Sequence, residues 1–162
     1  MTIARLAGRR NDHVPPFGSR AHMTRNVGYS LPQRRVARAI MGSIARSILV
    51  VDDDPTFRRL ARLLLTSQGF VVVAEAGSVA DAVSTARRVK PSAALVDVEL
   101  PDGDGFELAG RLSAMPWSPR IVVTSVQSGA DFTTEARRVG AEAFVLKADL
   151  ARAPLRSWLD AQ

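Results

Sequence analysis

Five short apolar runs, spaced along the chain from residue 48 onward and separated by longer segments of helical period, restrict what this sequence can fold into. The runs are residues 48–51, 71–74, 93–96, 121–123 and 143–146. Each is too short for a helix and apolar at successive positions, which predicts strands covered on both faces, as in a parallel sheet. Between and after them lie 55–67, 79–89, 105–114, 128–139 and 150–159. In the first of these, Phe57, Leu60, Ala61, Leu64 and Leu65 recur at three and four, the stripe of a helix packed on a sheet. Pro55 suits a first helical turn, Ser78 an N-cap, and Gly69 and Gly140 the positions just after helices. The order reads as βα repeated five times. Right-handed crossovers then make a doubly wound α/β sheet with helices on both faces the natural solution.

Length and charge divide the chain. Its 162 residues amount to about one domain. No apolar stretch approaches the roughly 18 to 20 uncharged residues that span a bilayer, and 46% hydrophobic residues can supply a core. The absence of Cys excludes disulfides and thiolate chemistry and fits a reducing, cytoplasmic setting. The formal charge of +6 is uneven: residues 1–46 carry nine Arg and one acid, Asp12, for a net of +8. Residues 47–162 carry thirteen basic and fifteen acidic residues, for a net of −2. We therefore divide the chain into a basic N-terminal extension, 1–46, and a folded domain, 47–162. Pro15, Pro16, Pro32 and the lack of apolar period make the extension largely disordered in this reading. Val36, Ile40 and Ile44 allow one short amphipathic helix near its end. A tail without chemistry, an arm touching nucleic acid or an acidic surface, and a targeting segment all suit its composition. Met23 and Met41 offer alternative starts.

In doubly wound sheets, ligands collect beyond the carboxyl ends of the strands. The first strand ends in Asp52-Asp53-Asp54, the third in Asp97, the fourth in Thr124-Ser125 and the fifth at Lys147. Singly, each has an ordinary explanation as a helix cap, a strand threonine or a solvated lysine. Together, at four of five strand ends, they predict a site, because clustered carboxylates repel unless a cation or proton relieves them. With oxygen donors only, and no Cys or nearby His, the expected ion is Mg²⁺ or Mn²⁺.

These residues resemble the receiver domain of two-component response regulators. The resemblance covers residues 47 to about 159 through ILVVDDDP, ALVDVELPDGDGFEL, VVTS and GAEAFVLK. It implies a flavodoxin-like strand order, 2-1-3-4-5, and a phosphorelay role without ordinary enzymatic turnover. It places the Mg²⁺-binding acidic pair on Asp52 and Asp53 and the phospho-accepting aspartate on Asp97, with the backbone carbonyl of Glu99 as a further metal ligand. Thr124 matches the hydroxyl that follows the phosphoryl group, Lys147 the cation that bonds it, and Phe144 the aromatic that switches with Thr124. The implied donor is a sensor histidine kinase or phosphotransfer protein. The implied output is a protein-binding surface on the fourth helix, fifth strand and fifth helix, with phosphorylation-dependent dimerisation as one outcome. Only three residues follow Leu159, so no C-terminal output domain is expected.

The chain departs from the family pattern after Lys147, where Ala148 stands in place of the usual proline and its cis bond. A non-proline cis bond costs about 2.5–4 kcal/mol, so we expect either a trans bond with a shifted loop or a strained cis one. Glu99 and Val126 occupy positions that tune water access in the family, and an acid and an apolar residue there predict slow self-hydrolysis. The acids Asp102, Asp104 and Glu107 are expected as a solvated turn and helix start. Two other readings compete. Asp52, Asp54 and Thr56 also fit the D-x-D-x-T pattern of haloacid dehalogenase-like phosphohydrolases, with Asp52 as nucleophile. The basic arm alone could serve a nucleic-acid-associated protein, against which stands its sparse aromatic content, Phe17 and Tyr29.

Overall fold

The computed structural model describes residues 46–160. The strands are β1 Ser47–Val51, β2 Val71–Ala76, β3 Ala93–Asp97, β4 Arg120–Ser125 and β5 Ala143–Leu146. The helices are α1 Pro55–Ser67, α2 Val79–Val89, α3 Gly105–Ser113, α4 Phe132–Arg138 and α5 Leu155–Leu159, with a 3-10 helix over Lys147–Arg152. All five strands pair in parallel in the order β2-β1-β3-β4-β5. This is the doubly wound sheet expected from the βα repeat, in the order that the receiver resemblance implies.

The strand period of two sorts the core into two layers. Leu49, Val51, Ala94, Val96, Ile121 and Val123 face α2, α3 and α4, meeting Ala82, Ala86, Leu108, Leu112 and Ala136. Ile48, Val50, Leu95 and Val122 face the opposite side, where Phe57, Ala61 and Leu65 of α1 and Leu155 and Leu159 of α5 cover them. Each fully buried leucine of this kind contributes about 1.5–3 kcal/mol of burial free energy.

Three expectations are corrected. First, β2 is not covered on both faces: as an edge strand it leaves Val71 and Val73 exposed at 43% and 40%. Second, the fourth helix begins at Phe132 rather than near 128, since Gly129 lies in the preceding turn and Asp131 makes no side-chain cap. Third, the segment 150–159 is broken at Pro154. Pro154 lacks an N–H and holds Ala153 extended (φ −67°, ψ 142°), so a 3-10 turn and a separate short helix replace one continuous helix. The expected helix through Val36, Ile40 and Ile44 lies outside the described residues.

The loop after β3 is tied to the neighbouring helix. Asp102 accepts hydrogen bonds from the Val79 and Ala80 amides at 2.6 and 2.9 Å, and so caps α2 from 23 and 22 residues away. Asp104 caps its own helix, accepting from Phe106 N and Glu107 N at 2.7 and 3.0 Å. These two acids are structural, not merely solvated. The bonds from Ala80 and then Val79 hold the Asp102 carboxyl below its ordinary value of 3.8. A depressed carboxylate contributes stability that is present above the unfolded value and lost as pH falls through the folded one. Asp102→Asn is accordingly expected to lower the melting temperature at pH 7 and to leave it less sensitive to acid below pH ~4. Thermal melts of both proteins across that range check this.

Candidate functional site

The carboxyl ends of β1, β3, β4 and β5 form the rim that holds the chemistry. Asp52, the first residue after β1, is fully buried, and its amide donates to Ala76 O at 3.1 Å. Its Oδ1 accepts from Asp54 N at 2.9 Å, while Asp54 caps α1 by accepting from Thr56 N at 2.8 Å. Arg58 reaches back from α1 to donate to the Asp52 and Asp53 carbonyls at 2.6 and 3.3 Å, and its other edge meets Glu75 of β2. The turn that presents the acidic pair is thus held from both ends.

Asp97 ends β3 in register with Thr124 of β4 and is 4% exposed. Lys147, directly after β5, places Nζ 2.6 Å from Asp52 Oδ2 and 2.9 Å from Asp97 Oδ2. The same ammonium lies 4.5 Å from the centre of the Phe57 ring, a cation–π contact that fixes the end of a long side chain. Burial pushes the Asp97 carboxyl above its ordinary value; the hydrogen bond from Lys147 works against this and the Asp52 charge reinforces it. For Lys147, burial pushes the amine down, and its contacts with Asp52 and Asp97 outweigh that, leaving it raised. The Lys147–Ala148 bond is trans, as are all peptide bonds among the described residues. A proline is not needed here for the amine to reach both carboxylates.

Thr124 is fully buried, and its Oγ1 has no hydrogen-bond partner. A buried unpaired hydroxyl costs about 1–3 kcal/mol. Phe144 of β5 is half-buried and packs edge-on against Phe132 of α4, centroids 5.3 Å apart, and Phe132 packs in turn on Phe106 of α3 at 5.4 Å. Glu99 is exposed and opens a two-residue antiparallel ladder with Asp104, and Val126 is 74% exposed.

Carboxylate oxygens of Asp52, Asp53 and Asp97 lie within 4.8 Å of one another. Lys147 offsets one of three negative charges. The donors are all hard oxygens, and the excess of negative charge suits a small divalent cation such as Mg²⁺. The local backbone is equally tight around Asp97. Gly105 N donates to Val98 O at 2.8 Å, and a Cβ added at Gly105 would overlap the Asp97 carbonyl oxygen and lie 2.7 Å from Val98 Cα. Because backbone cannot rotate away, Gly105→Ala is expected to cost about 3 kcal/mol. That lowers the melting temperature by roughly 10 °C, and calorimetry checks it.

The structure brings together Asp52, Asp53, Asp97 and Lys147 and sets Thr124 beside Asp97. Four contributors were not singled out in the sequence for these roles: Phe57, Arg58, Asp102 and Phe132. Phe57 carried a core signal, Arg58 and Phe132 none, and the 23-residue reach of Asp102 is not a local pattern.

Among the described residues no helix is long and apolar enough to cross a membrane. The sequence model of the response regulator receiver domain matches residues 48–156. The DNA-binding transcriptional activator DevR/DosR of Mycobacterium tuberculosis is 39% identical over 112 residues, covering 65% of this chain and 51% of that protein. The transcriptional regulatory protein PdtaR of the same organism is 30% identical over 105 residues, with the same two coverages. The chain therefore spans about half the length of the curated relatives it matches. Among solved structures, a LuxR-family two-component response regulator from Aurantimonas superposes with a TM-score of 0.60 at 29% identity, over 66% of this chain and 80% of that one. Fold, strand-end acids and the match over 48–156 converge: this chain belongs to the response regulator receiver domain family of two-component signalling.

Proposed function

We propose that this domain accepts a phosphoryl group on Asp97 from a phosphohistidine of a sensor kinase or phosphotransfer protein. The observation that carries this reading is the Lys147 ammonium bridging Asp52 and Asp97 beside the unpaired Thr124 hydroxyl. A carboxylate oxygen of Asp97 attacks phosphorus, the P–N bond breaks, and the imidazole leaves with the electron pair and takes up a proton. Lys147 then bonds a phosphoryl oxygen in place of the Asp97 carboxylate. Asp52, Asp53 and the Glu99 carbonyl would hold Mg²⁺ with Asp97, and when bound it supplies positive charge against the phosphoryl oxygens.

The new group adds about −1.5 to −2 charge and gives Thr124 Oγ1 its missing acceptor. Thr124 moves toward it, and Phe144, which leans on Phe132 of α4, follows into the space vacated. The face made by α4, β5 and α5 is thereby biased between two states and carries the signal to a protein partner or a second copy. Such a receiver works in the cytoplasm with its kinase. The Glu99 carboxylate repels the phosphoryl group and the exposed apolar Val126 cannot orient a hydrolytic water by a hydrogen bond, so the acyl phosphate is long-lived.

The test is labelling of the full chain by acetyl phosphate. Labelling is expected with Mg²⁺ and is lost when the cation is chelated; equal labelling with and without the cation overturns the reading.

A further inference from the structure

The rim opposite Asp97, where β3 and β4 begin, holds a cavity of about 420 Å³ between the carboxyl ends of α2 and α3. Its lining includes Val83, Arg87, Arg111, Met115, Pro116 and Trp117, and no acidic residue. Neither Arg87 nor Arg111 has an ion-pair or hydrogen-bond partner among the described residues. A third cation, Lys90, sits 6.0 Å over the Trp117 ring. Basic residues in a last helical turn complement the helix dipole, which accounts for Arg87 and Arg111 singly.

It does not account for their convergence on one cavity that offers no countercharge. The non-glycine residues with positive φ among those described, Lys90 at 45° and Ser118 at 40°, both flank this cavity, one beside each helix end. Lys90 is the left-handed C-cap of α2, its N–H donating to Ala86 O at 2.8 Å, and Ser118 closes the turn after α3, its N–H donating to Met115 O at 2.7 Å. The indole N–H of Trp117 is buried without an acceptor.

We infer that this cavity binds a small planar heteroaromatic phosphate of nucleoside monophosphate size. Two guanidinium forks match phosphate geometry and present donors only. The flat apolar wall of Met115, Pro116 and Trp117 suits a ring, and stacking on tryptophan tolerates different bases. The volume fits small-molecule sites, not an extended peptide. The length of β3 separates this rim from Asp97 at its far end, so occupancy does not require the phosphoryl site.

The full chain has two tryptophans, so a proton–nitrogen correlation spectrum resolves two indole N–H signals, one an internal control. Titration with AMP and with GMP is expected to move the Trp117 signal saturably, with half-saturation below about 1 mM, and to leave Trp158 in place. Arg87→Gln and Arg111→Gln each weaken this by about tenfold with unchanged melting temperature, and Asp97→Asn leaves it intact. Adenosine alone and inorganic phosphate alone bind at least about tenfold more weakly. The inference is overturned if neither nucleotide gives a saturable Trp117 shift, if both arginine variants bind as the native chain does, or if phosphate alone binds as well as AMP.

Discussion

Asp97→Asn is expected to reduce acetyl phosphate labelling in Mg²⁺ to background while leaving the fold intact. The substitution keeps the shape of the side chain and removes one of two buried carboxylates that share the Lys147 ammonium. Lys147 remains paired with Asp52, so no buried charge is stranded, and repulsion between the two acids disappears. The melting temperature in Mg²⁺-free buffer should therefore be unchanged or higher than that of the native chain. A variant that loses both labelling and fold would place Asp97 in a structural role instead.

Lys147→Met is the opposite experiment. It strands Asp52 and Asp97, whose side chains are 0% and 5% exposed, without a countercharge. Breaking a buried pair from one side costs about 3–5 kcal/mol, a loss of roughly 10–20 °C in melting temperature for a domain of this size. Mg²⁺ should recover part of that loss, so the stabilisation it produces is larger in the variant than in the native chain. Differential scanning calorimetry with and without the cation reads both effects. A variant as stable as the native protein, with no larger response to Mg²⁺, would mean that the three charges are not coupled as the geometry implies.

The fold was legible because its signals are local and repeated. Alternating apolar runs located β1, β3, β4 and β5 within one or two residues, and Pro55 and Ser78 marked helix starts that the structure reproduces. The failures share a cause: they turn on position in the sheet or on a single breaker. Nothing in the run 71–74 says that β2 is an edge, because exposure of Val71 and Val73 follows from which strands lie beside it. Pro154 was present in the sequence, yet the apolar period across 150–159 argued for continuity, and the missing N–H won.

The site divides in the same way. Topology alone brings the strand-end residues Asp52, Asp97, Thr124 and Lys147 to one rim, so listing strand ends was enough to find them. What holds those residues in place has no sequence period. Arg58 bonds the carbonyls of the acidic pair, Phe57 carries the Lys147 ammonium on its ring, and Asp102 ties the loop after Asp97 to α2. Of the two outcomes expected at Ala148 the structure has the trans bond, and it still delivers the amine to both carboxylates.

The most direct measurement is chemical mapping of the phosphorylated residue. Borohydride reduces an acyl phosphate to the corresponding alcohol, turning a phosphoaspartate into homoserine, which peptide mass spectrometry locates. After phosphorylation in Mg²⁺, homoserine is predicted at position 97. Homoserine at Asp52, Asp53 or Asp54 instead, as an aspartate-nucleophile phosphohydrolase reading would require for Asp52, would contradict it.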